Sequence, residues 1–202
     1  LKVGIATRNR NSWSSLQLTN ALACRHVPHL FLSLSKSIAH VGYEPCLMNR
    51  DVDVLKELDA LIVRPVGRGS IDELVFKMDV LYRLERLGLY VLNPPEAIEH
   101  CVDKFDVLTF LEENKLPVPQ TAVTEDVNEA LKAFEELGKD VVVKPLHGSR
   151  GVGATRIRDA DVAATVFRAI SFYHGIIYLQ KFVHHGFSDI RAFVIGDRVA
   201  AA

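Results

Sequence analysis

The sequence predicts an α/β protein in two parts: a small N-terminal α/β domain on a parallel sheet over residues 1–95, and an α+β domain over residues 96–202. Three observations carry this. Short runs rich in Val, Ile and Leu alternate with helix-period stripes up to Leu92, the pattern of strand–helix–strand units. Asn93-Pro94-Pro95 then interrupts the chain, because proline removes a backbone donor and restricts the residue before it. Beyond that break, strand-like runs are joined through glycine turns, which suits hairpins.

Val3-Gly4-Ile5-Ala6 reads as the first strand, followed by a polar loop, Arg8-Asn9-Arg10-Asn11. Ser14 or Ser15 caps a helix through Leu16, Leu18 and Leu22, and residues 29–32 read as a second strand. Residues 59–63 form a third strand. Ser70 and Glu73 make a capping box for a helix whose apolar stripe is Ile71, Leu74, Val75, Met78, Leu81 and Leu84, with Gly88 as its C-cap. Residues 89–92 are the next strand. Ligands of such sheets bind beyond the carboxyl ends of the strands, where loops 8–11, 64–69 and 93–95 fall.

In the second part, Asp103 caps a helix carrying Val107, Leu108 and Leu111, which Leu116-Pro117-Val118-Pro119 ends. Residues 121–124 read as a strand, and Val127, Leu131, Phe134 and Leu137 as a helical stripe closed by Gly138. Strand 141–145 follows, then a glycine loop, a strand-like run at 154–157, and a helix near 161–172 with Val162, Val166 and Ile170 inward. Residues 176–179 are a strand, and 191–195 with 198–201 form a hairpin across Gly196-Asp197.

Composition excludes several functions. Of 202 residues, 49% are hydrophobic and 24% charged, and the formal net charge is −1 without a block of like charges. Bulk nucleic-acid binding and a polybasic membrane patch are therefore not expected. No apolar run approaches the roughly 18 residues of a membrane span, and no leader-like start is expected. Cys24, Cys46 and Cys101 are odd in number and widely spaced, which fits a reducing cytoplasm. The cluster around Cys24, His26 and His29 lacks a fourth ligand for zinc.

The stretch Val141-Val142-Val143-Lys144-Pro145-Leu146-His147-Gly148-Ser149-Arg150-Gly151-Val152-Gly153 carries the chemistry. β-branched valines suit a buried strand, and a lysine at its end is costly to bury unless it meets an anion. Glycines let backbone N–H groups approach a phosphate closely. The lysine precedes the glycines, so this is not a Walker loop, and the order Gly-x-x-Gly-x-Gly is not a dinucleotide fingerprint. Strand, glycine loop, strand makes a flap over phosphates, while the kinase signatures His-Arg-Asp and Asp-Phe-Gly are absent.

This flap resembles that of the ATP-grasp carboxylate–amine ligases, and within them the RimK-type glutamate ligases. Asp103-Lys104, Tyr178-Leu179-Gln180-Lys181-Phe182-Val183 and Asp189-Ile190-Arg191 match in the same order, so the resemblance runs from about Asn93 to the chain end. It implies a mainly antiparallel sheet and an enzyme that forms a C–N bond. ATP converts a carboxylate to an acylphosphate, and an amine displaces phosphate. Lys144 and Lys104 would contact the phosphates, and Gly148, Ser149, Arg150, Gly151, Val152 and Gly153 would cover them. Gln180, Lys181, Phe182 and Val183 would form the adenine hinge, and Asp189 would accept from the ribose hydroxyls. Arg191 would reach the transferred phosphoryl group or substrate, or else pair with Asp189.

RimK-type enzymes continue past the 191–201 hairpin to carboxylate and Asn ligands for two Mg2+ (or Mn2+) ions. No metal ligand is expected within this chain. The ATP-grasp domain is accordingly expected to be incomplete at its C-terminus and inactive as it stands. The segments 63–70 and 93–99 resemble archaeal ligases that add L-glutamate to a pterin cofactor such as tetrahydromethanopterin or tetrahydrosarcinapterin. Ribosomal-protein glutamate ligases and lysine-biosynthesis carrier ligases are rivals, and a non-catalytic nucleotide-binding module is another class. Arg64 and Arg68 lie past a strand end, where an arginine fork suits an anionic small-molecule acceptor, unless they pair with Asp72 and Glu73. The partners are ATP, L-glutamate and that acceptor, with a homo-oligomer left open.

Overall fold

The computed structural model describes residues 1–64, 69–147, 151–186 and 188–202. Its contacts divide the chain into two compact units, Leu1–Val107 and Leu108–Ala202.

The first unit begins with β1 (Val3–Ala6), α1 (Trp13–Ala23) and β2 (His29–Leu32). A 3-10 turn at Leu34–Lys36 leads to β3 (Ser37–Ala39), β4 (Leu47–Asn49), β5 (Val52–Asp53) and the short α2 (Val54–Glu57). Then come β6 (Ala60–Val63), α3 (Ile71–Arg86), β7 (Tyr90–Leu92) and α4 (Pro95–Val102). Strands β2-β1-β6-β7 form the expected parallel sheet, and β3-β4-β5 a small antiparallel one. The small sheet gave no sequence signal, because strands of two or three residues are too short to show a period.

α1 is capped by Ser12, whose Oγ accepts from the Ser15 N–H, and not by Ser14 or Ser15. Ser15 is instead buried and donates to the Asn9 carbonyl at 3.0 Å, which ties the loop after β1 to the helix start. α3 starts as expected, with the Ser70 hydroxyl accepting from the Glu73 N–H, but its buried side chains are Lys77, Met78, Val80, Leu81 and Leu84. Ile71 and Val75 are about half exposed, and the buried face of α3 begins only at Lys77. α4 was not expected: Pro95 sits at its N-terminus, where a missing N–H costs nothing, so the prolines start a helix rather than only stopping a strand.

α5 (Lys104–Glu113) follows, with Asp103 Oδ1 accepting from the N–H groups of Phe105 and Asp106. The second unit contains β8 (Thr121–Thr124), α6 (Val127–Glu136), β9 (Val141–Lys144), β10 (Thr155–Ile157), α7 (Ala160–Phe172) and β11 (Ile177–Lys181). A hairpin of β12 (Phe193–Ile195) and β13 (Arg198–Ala201) ends it, turning at Gly196, which has φ +65°. The hairpin strand expected from residue 191 begins at Phe193.

Strands β10-β9-β11-β8 form one antiparallel sheet, as the resemblance implies. Its core is on one face: Phe134 from α6 and Phe167 from α7 are fully buried with Val141, Ile157, Ile177 and Leu179. Each such phenylalanine contributes about 1.5–3 kcal/mol by leaving water. The inward side of α7 is Ala163 and Phe167, while Val162 is about half exposed, so the expected stripe is rotated by one residue at its start. β9 is not covered on both faces, because Val141 and Val143 are buried while Val142 and Lys144 are only half-buried. No helix among the described residues is long and apolar enough to cross a membrane.

Candidate functional site

Side chains alternate across a strand, so the face of the antiparallel sheet away from α6 and α7 follows from its register. Tyr178 pairs with Lys144 on one side and with Val123 on the other, and Gln180 pairs with Val142 and Thr121. Arg156 pairs with Val142 from β10. Lys144, Tyr178, Gln180, Thr121 and Arg156 therefore share one face.

Lys144 ends β9 there. Its Nζ donates to Gln180 Oε1 at 2.6 Å, and burial lowers its pKa from the ordinary lysine value. Gln180 is buried and donates through Nε2 to Thr121 Oγ1 at 2.9 Å, with the Tyr178 hydroxyl at 3.4 Å. The amide oxygen beside this half-buried ammonium offsets part of the cost of burying its charge.

At the neighbouring end of the same face, Arg156 makes a two-point ion pair with Asp140 at 2.7 and 2.6 Å. Its guanidinium carbon lies 3.3 Å from the centroid of the Phe182 ring, a cation–π contact. The Arg156 hydrogen bonds, ahead of the weaker effect of Arg158, hold the Asp140 carboxyl at about 2. The segment leaving β11 is pinned as well: the Lys181 N–H donates to the Gln120 carbonyl and the Phe182 N–H to the Asp140 carbonyl, both at 2.8 Å. Of the expected hinge residues, Lys181 and Phe182 thus have their N–H groups committed to neighbouring strands.

The flap is described from Gly151 onward, and Gly148, Ser149 and Arg150 lie outside the described residues. The Ala154 N–H donates to the Gly151 carbonyl at 3.1 Å, closing a turn that leads into β10. Gly153 has φ +83°, and a Cβ there would meet the Pro145 ring at 2.8 Å. Only glycine suits that position. Val152 is exposed at the flap.

Lys104 is the first residue of α5, in the first unit. Asp189 and Arg191 are exposed between β11 and β12, and the ion pairs among the described residues do not include one between them. Arg64 follows β6 and its N–H donates to the Ala6 carbonyl, continuing the pairing of the central strands β1 and β6, while Arg68 lies outside the described residues. Among the described residues, no group of three or more His, Cys, Asp or Glu side chains could hold a metal ion. Thr121, Asp140 and Arg156 were not anticipated. Strand alternation counted outward from Lys144 would have placed Arg156 and Thr121 on its face, had the strand pairing been known.

An antiparallel sheet with helices on one face, and with a lysine on the other at the end of the strand that runs into a glycine hairpin, is the arrangement of the ATP-grasp fold. The profile of the RimK-like ATP-grasp domain matches residues 101–202, and the chain belongs to that family. It is 32% identical over 216 aligned residues to a tetrahydromethanopterin:alpha-L-glutamate ligase of Methanosarcina acetivorans, covering 100% of this chain and 66% of that protein. It is 33% identical over 207 to the ligase of that name from Methanococcus maripaludis, covering 100% of this chain and 69% of the relative. The chain thus spans about two thirds of the length of these relatives. Among solved structures, a RimK domain ATP-grasp protein from Sphaerobacter thermophilus superposes with a TM-score of 0.71 at 18% identity, over 91% of this chain and 64% of that one. At that identity the likeness concerns the fold.

Proposed function

We propose that the protein carrying this chain is an ATP-dependent carboxylate–amine ligase that adds L-glutamate to an anionic small-molecule acceptor, a pterin cofactor such as tetrahydromethanopterin. The γ-phosphoryl group of ATP passes to an acceptor carboxylate and ADP leaves. The glutamate amine then attacks the acyl carbon, phosphate departs and a proton is released, leaving an amide. Residues 96–202 form the nucleotide part and residues 1–95 the substrate side.

The observation that carries this reading is Lys144, a half-buried cation on the helix-free sheet face, at the point where β9 runs into the glycine flap. Phosphoryl transfer depends on positioning and charge neutralisation more than on a nucleophile. Lys144 and Lys104 take the phosphates, residues 148–153 cover them, and residues 180–183 border the adenine. Asp189 takes the ribose hydroxyls and Arg191 the transferred phosphoryl group. Arg64 and Arg68 meet the acceptor's carboxylates or phosphates. Family membership and the names of the two archaeal relatives support the choice of glutamate and a pterin.

The test is incubation of the full-length protein with Mg·ATP, glutamate and tetrahydromethanopterin, following ADP release and acceptor mass. Release of ADP that requires both glutamate and acceptor, with acceptor mass rising by glutamyl increments, is expected. Turnover with a ribosomal-protein peptide or an amino-group carrier peptide, and none with the pterin, would overturn the acceptor assignment.

A further inference from the structure

Thr121 on β8 also donates through Oγ1 to the Pro119 carbonyl, at 2.9 Å. A backbone carbonyl can only accept, so the Thr121 hydroxyl proton is committed to Pro119. The hydroxyl oxygen then has only lone pairs to offer its other neighbour. That neighbour is the Gln180 side-chain amide at 2.9 Å, which must present its NH2 group there. At the opposite end, the Lys144 ammonium can only donate, so it too requires the amide oxygen on its own side, where it lies at 2.6 Å. Both ends of the chain of hydrogen bonds independently demand the same amide orientation, which removes the usual ambiguity of a glutamine flip.

We infer that Thr121 is a positioning residue for the nucleotide site, acting through Gln180 on Lys144 by a one-directional hydrogen-bond relay, Lys144 to Gln180 to Thr121 to the Pro119 carbonyl. This deepens the proposed function and rests on Lys144 meeting the ATP phosphates. The physical reason is the cost of error. Gln180 is buried, and a flipped amide would place NH2 against an ammonium and an oxygen against an oxygen whose proton is already used. Locking the flip keeps an acceptor against Lys144, holding the ammonium in place and in its charged form on the sheet face. The relay spans β9, β11 and β8, so the pose of the lysine is set by three strands rather than by its own rotamers.

The test compares Thr121→Val, Thr121→Ser, Gln180→Leu and the double variant Thr121→Val/Gln180→Leu in the full-length protein. The readouts are the Kd for Mg·AMP-PNP and thermal midpoints. Thr121→Val is expected to raise that Kd roughly fivefold to tenfold, the effect of one buried hydrogen bond, while Thr121→Ser binds like the wild type. In the Gln180→Leu background, Thr121→Val should add no further loss, because the two act in series. If Thr121→Val lowers only the thermal midpoint and leaves Kd unchanged, or if its effect is undiminished in the Gln180→Leu background, the relay is wrong. Should Thr121→Val not fold, a Gln180→Leu protein binding nucleotide as tightly as the wild type would refute the relay equally. Wild-type protein that does not bind Mg·AMP-PNP would instead overturn the nucleotide reading itself.

Discussion

Lys144 and Gln180 lie on adjacent strands and share a sheet face, Gln180 standing diagonally beyond Tyr178, the direct partner of Lys144, and Lys144 Nζ donates to Gln180 Oε1 at 2.6 Å. This diagonal pair stabilises an ammonium that burial otherwise disfavours. Replacing the lysine separates its role at a ligand from its role in the sheet. Lys144→Ala should weaken ATP binding by about 1.5–3 kcal/mol, the worth of a charge-assisted phosphate contact. Calorimetric titration with Mg·AMP-PNP measures it, and an unchanged affinity would make Lys144 a residue of the sheet alone. The direction of its pKa shift adds a pH signature. A lysine titrating below the usual 10.5 loses its charge earlier as pH rises, so ATP affinity should begin to fall on the alkaline side before that value.

Asp140 gives a signature at the acid end. Its carboxyl is held at about 2 against an ordinary 3.8, because Arg156 grips both oxygens. A depressed carboxylate contributes stability that is present above its unfolded pKa and is lost as pH falls through the folded one. The wild type should therefore lose stability between about pH 4 and pH 2 more steeply than Asp140→Asn, in which that carboxylate is gone. Urea midpoints across this range decide it, and parallel curves would mean that the pair adds nothing to folding.

The core of the second unit depends on two aromatic side chains from different helices. Phe167 is fully buried beneath the sheet with Phe134. Phe167→Ala should destabilise the protein by about 3–5 kcal/mol, combining lost transfer energy with the cavity left behind. Denaturant unfolding of the full-length protein reads this directly. A cost below about 1 kcal/mol would show that α7 settles into the gap.

Arg64 addresses the acceptor. It stands at the carboxyl end of β6 in the parallel sheet, where ligands of such sheets bind. If it meets the acceptor's anionic groups, Arg64→Ala should raise the acceptor KM by roughly tenfold and leave the ATP KM nearly unchanged. A matching rise in both constants, or in neither, would remove this residue from the acceptor site.

Much of the molecule follows from local pattern. The parallel strands β1, β2, β6 and β7, the Ser70 cap of α3 and the hairpin across the glycine flap are each declared by residues close together in the chain. Lys144 was legible for the same reason, since a cation ending a valine strand before glycines needs no distant partner to stand out. The side chains around it were a different matter. Thr121 reaches Gln180 across 59 positions and Arg156 reaches Asp140 across 16, and each had the look of an ordinary surface polar residue. Which helix face turns inward was likewise decided by packing: α7 buries Ala163 and Phe167 where periodicity alone favoured Val162. Periodicity specifies a face only to within about one residue's turn of the helix, whereas strand pairing joins residues that no local signal connects. The chain thus announced the lysine that ends β9 by itself, and the tertiary register chose the polar groups that hold it.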